Sequence, residues 1–350
     1  MAKPCCCCSD DEAPKEIFAS ASSFRGVTTL QETSRSVVVV GSFSGRVAVW
    51  KRFKGATAMA TVDESSWRFA AERRLWELCC SPYVLRPLAT IVEAPTMAVV
   101  LPYCVPLDPA ALCSAALRVV FARDVAFAVE FAHSKGVVIR DVKPGNFLVE
   151  NFVAKLSDLE LSAVVTTAKK EGDVESFCRP WEGGPSSKPR RRFEGTPAYV
   201  APELIAAFED ASLRVEDPMR LKATFQSDAY ALGVSLNELA TMTKPFSDLE
   251  TAVRLHTVVD ASYTPQAVCR AVKQGKRPTL AAKTNPVAPP DLVERAWHQD
   301  PNKRPSARDI ARALVKATTT DADSEWAHYY DDDDFDDDES YGRRLLVPSL

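Results

Sequence analysis

Hydrophobic positions change their spacing along the chain, from a strand-like pattern before about residue 110 to a helical one after it. Residues 37–40 form a β-branched run, residues 41–45 contain two glycines typical of a turn, and residues 47–50 resume an apolar run. This pattern predicts a β-hairpin, and residues 96–101 predict a further strand. The first part of the chain is therefore expected to build a small β-sheet.

One helix is predicted inside this sheet-forming part, over residues 65–79, with cap candidates at residues 63–66. Its residues Phe69, Glu72 and Trp76 share one face, because helical neighbours are three and four positions apart. Beyond residue 110 an apolar stripe at helical spacing comprises Leu112, Ala116, Val120, Phe127 and Phe131. A small sheet unit followed by a larger helical unit predicts an α+β fold in two lobes, and clefts between lobes commonly hold ligands.

Composition narrows the class of protein. The 350 residues are 46% hydrophobic and 26% charged, as in ordinary globular proteins, and the net charge of −4 gives no basic excess for nucleic-acid binding. We expect no transmembrane helix and no secretory signal, because no apolar run is long enough and the N-terminus lacks an apolar core. Ten cysteines are too few for a disulfide scaffold, which predicts an intracellular, cytoplasmic protein.

The two ends differ from the middle. Residues 1–20 include Cys5, Cys6, Cys7 and Cys8, which are either acylation sites that would anchor the protein to a membrane or reactive thiols in a disordered tail. At the other end, residues 331–339 are acidic apart from Phe335. Such a dense run of like charges predicts a solvated, disordered tail over residues 319–350.

Candidate chemistry is concentrated in residues 139–146, which follow a predicted helix and precede an apolar run. Asp141, Lys143 and Asn146 lie there, and Asp158 comes twelve residues after Asn146. Phosphoryl transfer needs a carboxylate for the acceptor hydroxyl, oxygen ligands for magnesium and a cation for the moving phosphoryl group. These four side chains supply those groups. The alternative is a loop that holds charged residues by chance.

The pattern Arg140-Asp141-x-Lys143-x-x-Asn146 resembles the catalytic loop of eukaryotic protein kinases. Residues 195–203 (GTPAYVAPE) are similar to the end of the kinase activation segment. Residues 228–233 are similar to the start of the central helix of the larger lobe. Arg304 matches the arginine that, in kinases, pairs with the equivalent of Glu203. The resemblance implies a protein kinase domain over residues 24–316, with an N-lobe over about 24–101 and a C-lobe over about 105–316.

The resemblance also implies roles for individual residues. Asp141 is expected to be the catalytic base, Lys143 to stabilise the transferred phosphoryl group, and Asn146 and Asp158 to bind Mg²⁺. In similar kinases the arginine at Arg140 docks an activation-loop phosphate, and Thr196 belongs to the segment beside the substrate. Residues 183–192 are flexible and basic in composition, so they are either a phosphorylation site or an unstructured insertion.

A second group of residues is expected to bind ATP by the same resemblance. Glu72 would pair with the strand lysine, Leu101 would be the gatekeeper, and Cys104 would lie in the hinge beside adenine. For the apolar members of the group, ordinary core packing is the alternative. The full predicted group is Val38, Ala48, Lys51, Glu72, Leu101, Cys104 and Leu148.

Two features depart most strongly from the family pattern. Gln31, Thr33 and Ser36 occupy the positions of the three loop glycines, whose lack of a Cβ lets backbone N–H groups approach phosphate. Counted from Ala48, the usual Ala-x-Lys spacing ends at Trp50, and Lys51 is one residue late. Because neighbouring strand residues face opposite sides, Lys51 would reach ATP only through a bulge or an offset register.

Two functions therefore remain open. Lys143 and Thr196 resemble the residues that Ser/Thr kinases have at these positions. Residues 41–49 are similar to the same segment of the tyrosine-kinase-like group of Ser/Thr kinases. The first interpretation is a Ser/Thr kinase that transfers the ATP γ-phosphate to a protein hydroxyl. The second is a pseudokinase, a nucleotide- or protein-binding scaffold with little or no catalysis. Neither the protein substrate nor the oligomeric state is predicted.

Overall fold

The computed structural model describes residues 19–33, 36–54, 69, 72–73, 75–93, 96–164, 193, 195–210, 223–247, 264–285 and 287–318. They form two compact units, which divide between Val105 and Pro106. The four N-terminal cysteines, the basic run at residues 183–192 and the acidic tail lie outside the described residues.

The first unit is built on a five-stranded antiparallel sheet with the order β1-β2-β3-β5-β4. Its strands are β1 (Phe24–Glu32), β2 (Ser36–Phe43), β3 (Arg46–Phe53), β4 (Ala89–Glu93) and β5 (Thr96–Pro102). The predicted hairpin is β2–β3, but its turn is shorter than the sequence suggested. Gly41 lies within β2, whereas Ser44 and Gly45 make the turn with φ values of 50° and 78°.

One face of this sheet, here called the outer face, carries an apolar core, and the opposite face is called the inner face. Phe24, Val37, Val39 and Ala48 are buried together there, and Trp50 packs against them with its ring 5.1 Å from that of Phe24. Adjacent strands pair without interruption from β2 through β3 to β5, so the alternation of side chains between the two faces is regular along β3.

The helix predicted over residues 65–79 is present where it is described. Residues 69, 72–73 and 75–78 are helical, and Phe69 and Trp76 are buried. The Phe69 ring packs edge-on against Phe53 of β3 at 5.6 Å. This contact fixes the helix against the inner face of the sheet.

The second unit is mainly helical. Its helices are α1 (Ala115–Ser134), α2 (Pro202–Glu209), α3 (Phe225–Thr241), α4 (Pro265–Lys273), α5 (Pro290–Ala296) and α6 (Ala307–Thr318). Its short strands are β7 (Val137–Val138), β8 (Phe147–Glu150), β9 (Val153–Leu156) and β10 (Ala163–Val164), with β6 (Val105–Pro106) at the boundary. β8 pairs with β9, and β7 with β10.

Helix α3 is the centre of the second unit. Every residue from Ser227 to Ala240 is buried, and the helix begins at a capping box made by Thr224 and Ser227. Gly233 permits close packing, because a Cβ at this position would lie 2.8 Å from the Cβ of Ala296 in α5. The helix therefore provides a rigid support for the loops that precede it in the chain.

The apolar stripe predicted for α1 does not lie on the buried face of the helix. Val120 is 41% exposed, while the buried face carries Phe121, Val125 and Val129 together with small alanines. The helix is apolar on most of its sides, so its sequence contains several stripes at helical spacing. The alanines determine which stripe is buried, because they let α1 pack closely against its neighbours.

Candidate active site

The backbone of the catalytic-loop segment is held by Asp228, which lies in the first turn of α3. Its carboxylate accepts hydrogen bonds from the backbone N–H groups of Ile139 (2.6 Å) and Arg140 (2.8 Å). His133, at the end of α1, contacts the same carboxylate through Nε2 at 2.9 Å. Arg140 has a φ of 72°, a conformation that costs about 1–3 kcal/mol for a residue with a side chain. The Asp228 contacts offset this cost.

Asp141 is the centre of a closed hydrogen-bonded cluster. Its Oδ2 accepts from Lys143 Nζ at 2.7 Å and from Asn146 Nδ2 at 2.9 Å. Its Oδ1 accepts from the backbone N–H of Thr196 at 3.2 Å and from the Thr196 hydroxyl at 3.1 Å. Four donors therefore orient this carboxylate.

Thr196 reaches this cluster because of the glycine before it. Gly195 has a φ of 100°, which residues with a Cβ rarely adopt, and a Cβ there would meet Val200 at 3.3 Å. Lys143 Nζ lies 2.5 Å from the Thr196 hydroxyl, so the cation also bridges the two segments. The structure thus brings together Asp141, Lys143, Asn146 and Thr196.

The predicted metal ligands are linked through the backbone. Ser157 donates to the Asn146 carbonyl from both its N–H and its hydroxyl, each at 2.9 Å, and this holds the segment leading to Asp158. Because Asn146 Nδ2 donates to Asp141, its Oδ1 is left as an acceptor that a cation could use. Asp158 Oδ1 accepts from the Glu160 N–H at 3.1 Å.

These two side chains fit magnesium. Within the described part of the chain, no group of three or more His, Cys, Asp or Glu is arranged to hold a metal. Magnesium does not need such a group, since it usually combines one or two protein oxygens with water and substrate phosphates. Asn146 and Asp158 supply an amide oxygen and a carboxylate of that kind.

In the first unit, Lys51 and Glu72 form a buried ion pair. Lys51 Nζ lies 2.9 Å from Glu72 Oε1 and 3.1 Å from Oε2, and the Glu72 side chain is fully buried. The Phe53 ring centroid is 5.5 Å from the same nitrogen. A lysine held in this way keeps its charge at a fixed place on the inner face of the sheet.

Of the two ways in which Lys51 could share a face with Glu72, a bulge or an offset register, the structure shows the offset register. Lys51 reaches Glu72 without a bulge, because β3 pairs regularly with β2 and β5. The offset arises because the family spacing was counted from Ala48. Ala48 lies in the apolar core of the outer face with Trp50, on the opposite side of the strand from Lys51. Ala48 therefore lies on the opposite face from Lys51, Val38 and Leu101, which contradicts its predicted place in one nucleotide-binding group with them. Val49, two positions before Lys51, lies on the lysine face instead.

The other residues predicted to bind nucleotide are distributed as follows. Val38 pairs with Lys51 and Leu101 pairs with Val49, so both belong to the lysine face of the sheet. Cys104 is buried near the end of the first unit. Leu148 lies in β8 of the second unit and is half-buried. Their roles with ATP remain predictions.

The turn between β1 and β2 is closed by hydroxyl groups where the family has glycines. The Ser36 N–H donates to Thr33 Oγ1 at 3.0 Å, and the Thr33 N–H donates to the Ser36 carbonyl at 2.9 Å. The Thr33 hydroxyl contacts the Ser36 carbonyl at 3.2 Å. These backbone N–H groups are therefore engaged within the turn itself.

Two further contacts hold the segment that follows Thr196 in the second unit. Arg304 forms a bidentate ion pair with Glu203 at 2.7 and 2.8 Å, as the motifs predicted. The Tyr199 hydroxyl donates to Glu238 Oε2 at 2.5 Å. Burial raises the pKa of Glu238, while the Tyr199 hydrogen bond acts in the opposite direction. This second contact was missed, since one Tyr and one Glu far apart in sequence carry no shared motif.

Asp228, His133 and Asp124 were also missed as positioning residues. Asp124 of α1 accepts the Ala154 N–H of β9 at 2.8 Å, which joins the β8–β9 hairpin to the helix. Burial raises the pKa of Asp124 to about 7. A polar residue inside an apolar helical pattern was the available signal, because buried polar groups normally have specific partners.

Comparison with known proteins now identifies the class. The chain matches the family model of the protein kinase domain over residues 35–314, so it belongs to the protein kinase family. This match confirms the predicted fold class, with one unit built on a β-sheet and the other mainly helical.

Several curated proteins are similar to this chain. A protein kinase and PP2C-like domain-containing protein of Oryza sativa subsp. japonica is 35% identical over 206 residues, which cover 56% of this chain and 28% of that protein. The serine/threonine-protein kinase mos of Patiria pectinifera is 32% identical over 213 residues, covering 60% of this chain and 50% of the relative. The chain thus spans about a quarter to a half of the length of these relatives. Among the described helices, none is both long enough and apolar enough to cross a membrane.

Proposed function

We propose that the protein is a Ser/Thr protein kinase, which transfers the γ-phosphate of ATP to a hydroxyl group of a protein substrate. The observation that carries this proposal is the Asp141 cluster, in which Lys143, Asn146 and Thr196 all donate to one carboxylate. A scaffold without catalysis has no need of a carboxylate oriented by four donors.

The geometry supports a division of labour among these residues. Asp141 orients the acceptor hydroxyl and accepts its proton, because four donors hold its two oxygens in place. Lys143 lies 2.7 Å from Asp141 and carries a permanent cation, which stabilises charge on the phosphoryl group as it moves. Thr196 occupies a hydroxyl position on Asp141 Oδ1, the kind of contact that a substrate Ser or Thr would make.

Asn146 and Asp158 would hold Mg²⁺, which neutralises charge on the phosphates of ATP when it is bound. Lys51 would contact the phosphates, with Glu72 keeping its ammonium group in place. Similarity to serine/threonine kinases such as mos supports the acceptor class. The proposal includes protein substrates, a cytoplasmic location and acylation of Cys5, Cys6, Cys7 and Cys8.

The pseudokinase remains the second candidate because of one observation. The β1–β2 turn engages its own N–H groups through Thr33 and Ser36, which weakens the usual contact with phosphate. A radiolabelled phosphate-transfer assay on the purified protein, with Asp141→Asn as the control, decides between the two. Transfer that is lost in the variant supports the kinase, and transfer equal in both proteins would remove Asp141 from the mechanism.

A further inference from the structure

Residues 157–162, here called the metal-ligand segment, are tied to the catalytic loop at both ends. At the first end, the hydroxyl and the N–H of Ser157 both donate to the Asn146 carbonyl at 2.9 Å. At the other end, the hydroxyl of Ser162 donates to the Ile139 carbonyl at 3.2 Å, and Ser162 is only 2% exposed. The residues between the two serines therefore form a short loop whose ends are both fixed to the catalytic loop.

The hydroxyl of Ser162 takes the place of a backbone donor. β10 pairs with β7 as far as Ala163 and Val138, so the next pair along the two strands would be Ser162 with Ile139. The Ser162 N–H instead donates to the Leu159 carbonyl at 3.0 Å and closes a turn. The side chain of Ser162 is thus the group that reaches the Ile139 carbonyl. Because Ile139 is buried, an apolar residue at position 162 would deprive this carbonyl of that donor.

A second contact joins the same two places in the opposite direction. Arg140 Nη1 donates to the carbonyl of Leu161, which directly precedes Ser162 in the chain, at 3.1 Å. The loop side of both contacts is itself held by α3, since Asp228 accepts the N–H groups of Ile139 and Arg140. The far end of the metal-ligand segment is therefore joined to a part of the catalytic loop that is fixed in place.

We propose that Ser162 is a positioning residue for Asp158, the expected Mg²⁺ ligand, with Ser157 holding the other side. Asp158 lies one residue after Ser157 and four before Ser162, within the loop that the two serines close. Its Oδ1 also accepts the Glu160 N–H at 3.1 Å, so the carboxylate is fixed to the same loop. This inference rests on the proposed function, because Asp158 is considered in it as a metal ligand.

The two serines act on the expected metal through its ligands. Groups that orient metal ligands typically contribute about 10- to 100-fold to metal affinity or activity. Loss of the Ser162 hydroxyl would let Asp158 move relative to Asn146, the other expected ligand. Because magnesium requires near-ideal octahedral geometry, such a shift should weaken its binding. Loss of the Ser157 hydroxyl should matter less, since the Ser157 N–H still donates to the Asn146 carbonyl.

The first measurement needs no nucleotide. Amide hydrogen exchange of the full chain reports local opening, which should become severalfold faster at residues 158–161 in Ser162→Ala than in the wild type. Thr241→Val is the matched control, because it removes a hydroxyl of the same unit that donates to the Asn237 carbonyl of its own helix. This control should leave exchange at residues 158–161 unchanged. Unchanged exchange in Ser162→Ala would overturn the proposal.

The second measurement is the Mg²⁺ concentration that gives half of the ATP-dependent rise in Tm, with each protein compared with its own nucleotide-free form. Ser162→Ala should raise this concentration about tenfold, Ser157→Ala should raise it less, and Thr241→Val should not change it. Faster exchange in Ser162→Ala with an unchanged Mg²⁺ requirement would overturn the positioning role, because the serine would then support only the fold. A wild type that shows no rise in Tm with Mg-ATP would overturn the metal role of Asp158 in the proposed function together with this inference. Equal Mg²⁺ requirements in all four proteins would overturn this inference alone.

Discussion

The two units differ in how they hold the groups expected to react and the groups expected to bind phosphate. In the second unit, Asp141 is held by four donors and its loop is fixed by Asp228. In the first unit, the Lys51–Glu72 ion pair is intact, but the β1–β2 turn is closed on itself by Thr33 and Ser36. The second unit thus holds the groups expected to react in a fixed arrangement, whereas in the first unit the N–H groups of Thr33 and Ser36 are engaged within the turn.

This contrast indicates that the two tasks are separable. The chemical step depends on groups that stabilise the transition state, whereas contacts with the non-reacting phosphates contribute to binding. A bound cation and Lys51 can supply much of that binding without backbone N–H groups. We therefore expect substitutions in the second unit to affect the rate most, and substitutions in the turn to affect affinity.

The largest effect is expected for Asp141→Asn. The amide keeps the shape of the side chain but cannot accept a proton, so phosphate transfer should fall by several orders of magnitude. The amide keeps an oxygen for only one of the two donor pairs, so the Tm should fall moderately, and the rate is measured well below the Tm of the variant. Single-turnover transfer to a generic protein substrate measures the rate, and an unchanged rate would argue that the cluster is only structural.

The next effect is expected for Lys51→Met compared with Trp50→Phe. Of these two residues only Lys51 carries a cation, and it is held by Glu72, so its loss should lower transfer by about two to three orders of magnitude, while Trp50→Phe should be nearly neutral. Since Lys51→Met leaves Glu72 buried without its partner lysine, the double variant Lys51→Met/Glu72→Gln controls for stability. Full activity in both Lys51 variants would overturn the assignment.

A pH experiment tests the support of the β8–β9 hairpin. The folded pKa of Asp124, about 7, lies above its ordinary value of 3.8, so its contribution to stability is lost as pH rises from about 4 to 7. Asp124→Asn keeps an acceptor for the Ala154 N–H and removes the charge. Its stability relative to the wild type should rise by about 2 kcal/mol between pH 5.5 and 8.5, since each pKa unit is worth about 1.4 kcal/mol. Urea unfolding at both pH values measures this difference, and a constant difference would contradict the burial argument.

The smallest effect is expected in the β1–β2 turn. Replacing Thr33 and Ser36 together with glycine removes the Thr33 hydroxyl that engages the Ser36 N–H and should tighten Mg-ATP binding severalfold, with little change in the rate at saturating ATP. Glycine also loosens the unfolded chain, so each protein is compared with its own nucleotide-free form. Weaker binding in the glycine variant would show that the hydroxyl groups themselves contact the nucleotide.

Much of this arrangement could be predicted from the sequence. The catalytic cluster was predictable because Arg140, Asp141, Lys143 and Asn146 lie within one short segment, whose spacing fixes their geometry. The register of β3 was not, since Ala48 and Val49 are both small apolar residues and only strand pairing shows which of them shares a face with Lys51. Contacts such as Asp228 with Ile139 join residues 89 positions apart, and no local pattern encodes them.

The most direct test of the account is the magnesium dependence of nucleotide binding. If Asn146 and Asp158 bind ATP through magnesium and so replace the phosphate contacts that the β1–β2 turn lacks, Mg-ATP should stabilise the protein against heat. ATP with excess chelator should do so much less. Ligand at 100 times its dissociation constant adds about 2.7 kcal/mol, which corresponds to a rise of a few degrees in Tm. We predict that rise with Mg-ATP and most of it lost with the chelator. An equal rise without magnesium would contradict the metal roles of Asn146 and Asp158, and no rise at millimolar Mg-ATP would favour the pseudokinase.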